Sequence, residues 1–227
     1  MTTETEAKEA SAALRLNGAG GVERCPTCDA EVPEGFRFCG QCGRALAAVL
    51  APSPGDVVTI VFTDLEGYTT FSSRAHEDEL RGLIRAYYAL VREQVARRGG
   101  FEVKQAGDGF MIAFPSARRA VLCASDIQRA MAEHDHDHPV RRLRFRAGLN
   151  SGDAVREGDD FFGHTVNVAS RIAGRAAGGQ VLVSEATRVL AGRVDGVRFR
   201  EIGRRKLRGL PGMHPLFEIV ADGGAAE

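Results

Sequence analysis

From residue 57 onward, apolar residues alternate between the spacings typical of strands and of helices. Residues 57–62 form a continuous, largely β-branched run, which predicts a strand buried on both faces. Over residues 80–95, apolar side chains recur every three or four positions, which predicts an amphipathic helix ended by the Gly-Gly pair at 99–100. The same spacing over residues 120–131 predicts a second helix.

Shorter apolar segments predict the remaining elements. Residues 101–105 and 110–114 flank the sequence Ala-Gly-Asp-Gly, which predicts a hairpin with Asp108 at its tip. The same patterns predict strands over 143–149, 181–183, 197–202 and 216–220, a turn at 151–153, a short helix over 165–174, and another helix capped by Ser184. This order of elements predicts an α+β fold, a ferredoxin-like antiparallel sheet with helices on one face.

Composition divides the 227 residues into a large domain, a small module and loose ends. The first residues hold too little apolar surface for a core, and two closely spaced prolines mark a semi-rigid spacer. We therefore expect a disordered tail at 1–24, a cysteine module at 25–44, a linker at 45–55, a main domain at 56–220 and a tail at 221–227.

Charge and hydropathy exclude several kinds of partner. Thirty basic and thirty acidic residues balance, which removes global charge as an argument for binding nucleic acid or a membrane surface. The apolar runs fall far short of the roughly 20 residues that cross a bilayer, and the N-terminal residues lack the apolar stretch of a signal peptide. We expect a cytoplasmic protein that binds neither nucleic acid nor membrane.

Two polar stretches resemble functional sites but have simpler explanations. Acidic residues and histidines alternate over 133–138, where a preceding helix and a following proline favour a solvated loop over a metal site. Arginines alternate over 141–146, a pattern that favours a half-exposed strand over a nucleic-acid surface.

Four of the five cysteines form two close pairs, Cys25 with Cys28 and Cys39 with Cys42. Tetrahedral Zn²⁺ coordination needs such pairs, and a module of about twenty residues needs a metal to fold alone. A redox dithiol and a degenerate remnant are the alternatives. The segment resembles a zinc ribbon, which implies one structural Zn²⁺ per chain on the four thiolates. Its role stays open between docking a regulatory partner, sensing conditions and bracing a dimer.

Two aspartates are placed by the predicted elements where a metal ion could bind. Asp64 follows the buried strand and precedes a turn whose backbone amides suit a phosphate. Asp108 lies at the tip of the hairpin expected beside that strand. Mg²⁺ prefers one or two carboxylates and completes its shell with water and phosphate oxygens. Taken singly, Asp64 would also fit a helix cap, and Asp108 an ordinary turn residue.

A third candidate group lies on the short helix predicted over 165–174. Asn167 and Arg171 are four residues apart, so they project from the same helix face. An arginine beside an asparagine can donate several hydrogen bonds to a phosphoryl group as charge develops on it. The simpler interpretation is an amphipathic helix with a solvated edge.

Three segments together resemble a known enzyme family. Residues 160–171 look like the signature of class III adenylyl and guanylyl cyclases. Residues 62–71 are similar to that family's first metal motif, and residues 104–114 to its second. The motifs occur in the family's order, and the resemblance extends over nearly all of residues 56–220, so the chain is identified as a member of this family, of the adenylyl type.

The resemblance implies roles for the residues that match the metal and purine motifs. Asp64 and Asp108 would hold two Mg²⁺ or Mn²⁺ ions, with the Leu65 carbonyl contributing to one. Lys104 and Asp160 would contact the purine edge. In the family this pair goes with adenine, because lysine donates to a ring nitrogen and the carboxylate accepts from the exocyclic amine.

The resemblance also implies groups that contact the ribose and the phosphates. Asn167 would orient the ribose, and Arg171 would stabilise charge on the α-phosphoryl group. The family grips the terminal phosphates with a lysine that precedes a glycine near the C-terminus, but here Arg208 precedes that glycine. By register Arg208 takes this role, with Lys206 as the alternative, and the departure matters because arginine and lysine are not interchangeable at phosphate sites.

These roles imply an adenylyl cyclase that converts ATP to 3′,5′-cyclic AMP and pyrophosphate, by metal-assisted attack of the ribose 3′-hydroxyl on the α-phosphate. In the family one protomer supplies the metal aspartates and its partner supplies the other groups, so a homodimer with shared sites is expected. The alternative is a catalytically silent ATP-binding module that recruits partners through its zinc ribbon. A diguanylate cyclase is rejected, because that family has no place for the helix with Asn167 and Arg171.

Overall fold

The computed structural model of the protein describes residues 23–24, 30–32, 56–68, 72, 76–137 and 144–221. The chain divides into two compact units, residues 1–46 and 47–227. In the first unit, Glu23–Arg24 (β1) and Glu31–Val32 (β2) form an antiparallel pair. The strand β1 thus includes two residues that the sequence assigned to the disordered tail. The four cysteines, residues 1–22, the linker 45–55 and residues 222–227 lie outside the described residues.

The second unit is built on a seven-stranded sheet in the order β10-β11-β9-β6-β3-β5-β4. Its elements are, along the chain, β3 (Val57–Glu66), α1 (Glu77–Arg98), β4 (Phe101–Ala106), β5 (Gly109–Phe114), α2 (Ala117–Asp137), β6 (Arg144–Asp153), β7 (Val155–Glu157), β8 (Asp160–Phe162), α3 (His164–Ala173), β9 (Val181–Ser184), α4 (Glu185–Ala191), β10 (Val197–Arg205) and β11 (His214–Ala221). The strands β7 and β8 form a separate two-stranded ribbon.

The fold class predicted from the sequence is confirmed, because helices combine with a sheet whose strands are mostly antiparallel. One pair departs from that pattern: β6 and β9 run parallel, with Ala147 opposite Val181 and Leu149 opposite Val183. The chain between β6 and β9 contains α3, and a parallel pair requires a crossover connection of this kind.

Helices cover both faces of the central strand β3, whereas the sequence predicted helices on one face. Val61 and Leu65 point into the main apolar cluster, which α1 and α2 complete. Ile60 points to the other face and packs in a second cluster with Phe161 and Ala169 of α3. Neighbouring residues of a strand point to opposite faces, so the continuous apolar run 57–62 required a cover on each side.

Several elements extend beyond their predicted ends. The strand β3 continues to Glu66, and β6 continues to Asp153 through the predicted turn, because the two pair along their whole lengths from Val57 opposite Asp153 to Glu66 opposite Arg144. The helix α2 runs to Asp137 and includes part of the predicted histidine-rich loop. Once a helix is nucleated, each added residue gains a hydrogen bond at little cost.

The structure tests the predicted helix cap at Ser184 and the prediction that no helix spans a membrane. Ser184 precedes α4, and its hydroxyl accepts a hydrogen bond from the Thr187 backbone N–H at 3.2 Å, so the predicted N-cap is confirmed. Among the described helices, none has both the length and the apolar character that crossing a bilayer requires.

The helix α3 packs unusually close to strand β6 because position 148 is a glycine. A Cβ atom added to Gly148 would lie 2.0 Å from the Ala173 backbone nitrogen, which is far inside van der Waals contact. The helix that bears Asn167 and Arg171 is therefore held against the sheet by backbone approach as well as by apolar contacts.

We predict that Gly148→Ala lowers the free energy of unfolding by about 2 kcal/mol or more, because the methyl group must displace a buried backbone. Gly82→Ala is the matched control. Gly82 is exposed in α1 with nothing within 4 Å of an added Cβ, so this change should stabilise by about 0.5–1 kcal/mol. Chemical denaturation measures both, and equal stability of the two variants would contradict the close packing of α3.

Candidate functional site

The fold brings together Asp64 and Asp108, which are far apart in the sequence. Leu65, the residue after Asp64, lies 43 positions before Asp108. Asp64 lies within β3, and Asp108 lies in the tight turn that joins β4 to β5. The strand β5 pairs with β3 along its length. At the turn, a Cβ atom on Gly109 would lie 2.3 Å from the Thr63 carbonyl oxygen, so only glycine permits this approach. The close approach carries Asp108 to the side of Asp64.

The two carboxyl groups are held in a crowded arrangement. The Asp108 carboxylate accepts a hydrogen bond from the Leu65 backbone N–H at 3.0 Å and lies within hydrogen-bonding reach of Asp64. Burial raises the pKa of Asp108 above its ordinary value, and the neighbouring Asp64 carboxyl raises it further. Removing water from two adjacent carboxylates is unfavourable, and a divalent cation between them would offset that cost.

The donor set fits a small divalent ion. Among the described residues, no three His, Cys, Asp or Glu side chains cluster as a complete metal cage. Two carboxylates without further side-chain ligands suit Mg²⁺ or Mn²⁺, which retain water and substrate phosphate oxygens in their shell. The residues present are thus compatible with the metal site expected from the sequence.

Arg146 is part of this site, and the sequence analysis missed it. It lies on β6 directly opposite Asp64 on β3. Its Nε atom donates to the Asp64 Oδ2 atom at 2.8 Å, Nη2 donates to the same oxygen, and Nη1 donates to the Ala176 carbonyl at 3.4 Å. The guanidinium therefore offsets part of the negative charge of Asp64. The alternating arginines over 141–146 indicated a polar strand face, but only the register between β3 and β6 identifies Asp64 as the partner of Arg146.

Lys104 and Asp160, the two residues predicted to contact the purine edge, form an ion pair with each other. The Lys104 Nζ atom on β4 lies 2.5 Å from the Asp160 Oδ2 atom on β8, and the other Asp160 oxygen accepts from the Phe161 backbone N–H at 2.9 Å. The hydrogen bond from Lys104 lowers the pKa of Asp160. The Lys104 ammonium also lies 5.8 Å from the centre of the Phe162 ring.

A cleft of about 250 Å³ opens between β3, the β4–β5 hairpin and α3. Asp64 and Lys104 both line it, Phe62 and Met111 form apolar walls, and Ser170 contributes from α3. A cleft with one carboxylate, one ammonium and apolar walls suits a ligand that combines a flat ring with charged groups.

Asn167 and Arg171 are both exposed on α3, one turn apart. The structure confirms the helix that carries them, but neither side chain lines the cleft. Arg208 and its alternative Lys206 are exposed in the loop between β10 and β11. The described chain therefore does not gather all the expected site residues around one point.

The topology of the sheet separates the end of β10, which leads into the loop with Arg208, from Asp64. Asp64 lies near the end of β3, where β6 begins. The strand β10 runs in the direction of β6, so β10 ends at the opposite end of the sheet. Four strand spacings separate β10 from β3, which at about 4.8 Å per spacing is roughly 19 Å across the sheet. The loop that follows β10 packs through Leu207 in one cluster with Val168 and Ile172 of α3.

A match to known sequences decides the family. The profile described as the adenylate and guanylate cyclase catalytic domain matches residues 50–219, which is more than half of the chain. The chain belongs to the adenylate and guanylate cyclase family. A zinc-ribbon domain profile matches residues 24–46, so the N-terminal cysteine module of this cyclase-family protein is a zinc ribbon, as expected.

The relatives of this cyclase-family protein include adenylate cyclases. A receptor-type adenylate cyclase of Trypanosoma congolense is 32% identical over 212 residues, which cover 74% of this chain and 28% of that protein. A pH-sensitive adenylate cyclase of Mycobacterium tuberculosis is 34% identical over 186 residues, which cover 78% of this chain and 45% of that protein. The chain therefore spans less than half the length of these two relatives.

Solved structures agree with the fold of the cyclase domain. An adenylate/guanylate cyclase/hydrolase from Silicibacter pomeroyi superposes with a TM-score of 0.66 at 31% identity, covering 73% of this chain and 97% of that one. An adenylate cyclase from Trypanosoma brucei, solved in its monomeric state, superposes with a TM-score of 0.67 at 25% identity, covering 77% of this chain and 92% of that one.

We predict that Asp108→Asn raises the thermal midpoint Tm of the metal-free protein. Because the folded pKa of Asp108 is raised, the stability that this carboxyl contributes is complete below its ordinary pKa of 3.8 and is lost as pH rises through the folded value. Asparagine has no carboxyl group to lose a proton, so the variant does not undergo this loss of stability. Its side-chain oxygen can still accept the hydrogen bond from the Leu65 backbone N–H. The Tm advantage should therefore grow from ~pH 4 to ~pH 7.

Differential scanning fluorimetry in EDTA measures how the Tm of each protein depends on pH. The same measurement with Mn²⁺ shows how much the metal raises the Tm. Mn²⁺ should raise the Tm of the wild type and leave that of Asp108→Asn nearly unchanged, since binding to the folded state alone stabilises it. A lower Tm for the variant at every pH would contradict the crowding of the two carboxyl groups.

Proposed function

We propose that the protein is an adenylyl cyclase that converts ATP to 3′,5′-cyclic AMP and pyrophosphate. The convergence of Asp64 and Asp108 beside an open cleft carries the proposal. Two carboxylates held this close together favour the binding of divalent ions, and such ions in turn bind a triphosphate.

The choice of adenine over guanine rests on Lys104 and Asp160. Their ion pair places a donor and an acceptor side by side next to the cleft. Adenine presents the complementary edge, because its ring nitrogen accepts a hydrogen bond and its exocyclic amine donates one. The guanine edge reverses part of this pattern, and an unmatched polar pair is costly to bury. The adenylate cyclase relatives agree with this choice.

The chain's residues bind and orient the substrate without a dedicated protein base. Asp64, Asp108 and the Leu65 carbonyl would hold two Mg²⁺ or Mn²⁺ ions, which when bound would acidify the ribose 3′-hydroxyl and neutralise the phosphates. Asn167 orients the ribose so that this hydroxyl lies in line with the α-phosphorus. Arg171 donates hydrogen bonds to the oxygens on which negative charge accumulates.

The site is completed by a second copy of the chain. Asn167, Arg171 and Arg208 are exposed, and none of the three lines the cleft beside Asp64. A two-fold homodimer would supply Lys104, Asp160, Asn167 and Arg171, together with Arg208, from the partner to each carboxylate pair and form two equivalent sites. Arg208, with Lys206 as the alternative, would grip the terminal phosphates.

The N-terminal module would hold one Zn²⁺ on Cys25, Cys28, Cys39 and Cys42, and we propose that it receives a regulatory partner. A catalytically silent ATP-binding module has no support from the comparisons. The carboxylate pair and the helix with Asn167 and Arg171 are all present in the described domain.

We predict that the purified full chain with Mn²⁺ forms cyclic AMP and pyrophosphate from ATP, and that GTP is a much poorer substrate. Product identification by chromatography checks both statements. Asp108→Asn is the matched inactive control, because it retains the fold and removes a metal ligand. Cyclic GMP as the main product would contradict the role assigned to Lys104 and Asp160.

We predict that two inactive variants, Asp64→Ala and Asn167→Ala, recover activity when mixed. Each mixed dimer contains one site that has both native residues. Random exchange at equal concentrations makes half of the dimers mixed, each with one of two sites intact, so activity should reach about a quarter of the wild type. Light scattering and a tag-exchange assay confirm that dimers form and exchange. Exchange without any recovery would show that one chain builds its whole site.

A further inference from the structure

The turn that carries Asp108 is held in place from helix α1. The Tyr88 hydroxyl donates to the Gly107 carbonyl at 2.8 Å, one residue before Asp108. The Tyr88 ring meets the Phe110 ring edge to face, with centroids 5.3 Å apart and an interplanar angle of 90°. One side chain thus contacts the hairpin on both sides of Asp108.

Arg92, one turn further along α1, supports the same hairpin. Its guanidinium donates to both carboxylate oxygens of Glu102, at 2.8 and 2.9 Å, and to the Gln105 side-chain oxygen at 3.1 Å. It also stacks 5.7 Å from the centre of the Tyr88 ring and 5.3 Å from that of Phe110. Arg92 thereby fixes the ring whose hydroxyl reaches the turn.

Helix α1 also reaches the strand that carries Asp64. The Tyr87 hydroxyl lies 3.4 Å from the Thr63 hydroxyl oxygen, which accepts a hydrogen bond from the Phe110 backbone N–H at 3.0 Å.

We propose that Tyr88, braced by Arg92, is a positioning residue for the divalent-ion site. It holds the turn so that Asp108 meets Asp64. This inference rests on the proposed function, because it assumes that the two carboxylates bind Mg²⁺ or Mn²⁺.

The physical need for such a residue follows from the crowding of the carboxyl groups. Two carboxylates brought together repel, and the Arg146 guanidinium offsets this only in part, since its hydrogen bonds go to Asp64 and to the Ala176 carbonyl. Without a divalent ion, the turn would therefore gain by moving Asp108 away from Asp64. The Tyr88 hydrogen bond opposes that movement at the neighbouring peptide. Small divalent ions require near-ideal ligand geometry, and a site that is already held in that geometry binds more tightly than one that must form during binding.

The test compares Mn²⁺ binding to the nucleotide-free full chain, followed by electron paramagnetic resonance of free Mn²⁺. Tyr88→Phe removes only the hydroxyl and retains the ring against Phe110. The loss of one hydrogen bond should raise the Mn²⁺ dissociation constant about fivefold. In the cyclase assay, the Mn²⁺ activation constant should rise similarly while the rate at saturating Mn²⁺ stays close to that of the wild type.

A matched control removes a hydrogen bond elsewhere on α1. Arg98 donates to the Asp126 carboxylate on α2 at 2.7 Å, so Arg98→Gln should lower Tm without changing Mn²⁺ affinity. Tyr88→Leu also removes the ring contact and should weaken Mn²⁺ binding more than Tyr88→Phe. If Tyr88→Leu does not fold, the Mn²⁺ affinity of Tyr88→Phe alone decides whether Tyr88 positions the site.

The outcomes separate the two claims. If the wild type binds Mn²⁺ no better than Asp108→Ala, the carboxylates form no metal site, and the proposed function is wrong together with this inference. If the wild type binds through Asp108 but Tyr88→Phe binds equally well, Tyr88 does not position the site, and the proposed function stands. An equal loss of affinity in Arg98→Gln would show a general effect of stability and would also overturn the inference.

Discussion

The two carboxyl groups of Asp64 and Asp108, held against each other at one end of the central sheet, are the constraint on which the arrangement of this domain depends. Their proximity is unfavourable without a cation, as the raised pKa of Asp108 indicates. The fold maintains it with the close backbone approach at Gly109, the Leu65 amide and the Arg146 guanidinium. In our proposal, this loss of stability is the consequence of keeping a binding site for divalent ions.

The same sheet separates the groups that the proposed chemistry must combine. Asp64 and Asp108 lie at one end of β3, while β10, which leads into the loop with Arg208, ends at the other end of the sheet and several strands away. The pair of Lys104 and Asp160 is assembled within one chain, beside the cleft that Asp64 also lines. In our proposal, symmetry resolves the separation, because a second chain presents its own loop and its own helix α3 to the carboxylates. Dimer formation would then act directly on catalysis.

Local patterns in the sequence were sufficient to predict most helices and strands of the fold, but not which side chains of distant elements contact each other. The continuous apolar run of β3 predicted a strand buried on both faces, and the Gly-Asp-Gly sequence predicted the turn at Asp108. That Arg146 faces Asp64 depends on the register between β3 and β6, a relation between distant segments that alternation alone does not specify. The juxtaposition of Lys104 and Asp160, 56 residues apart, was reached only through the resemblance to cyclases. For the same reason the sequence did not single out Tyr88, whose spacing indicated only the buried face of a helix.

The most direct test of the central claim is a crystal structure of the full chain with Mn²⁺ and an ATP analogue that lacks the 3′-hydroxyl. The account predicts anomalous density for Mn²⁺ between Asp64 and Asp108, with Arg146 released from Asp64, and with Asn167 and Arg171 of a second chain against the nucleotide. Manganese bound elsewhere, or a nucleotide enclosed by one chain with these two carboxylates turned away from it, would contradict it.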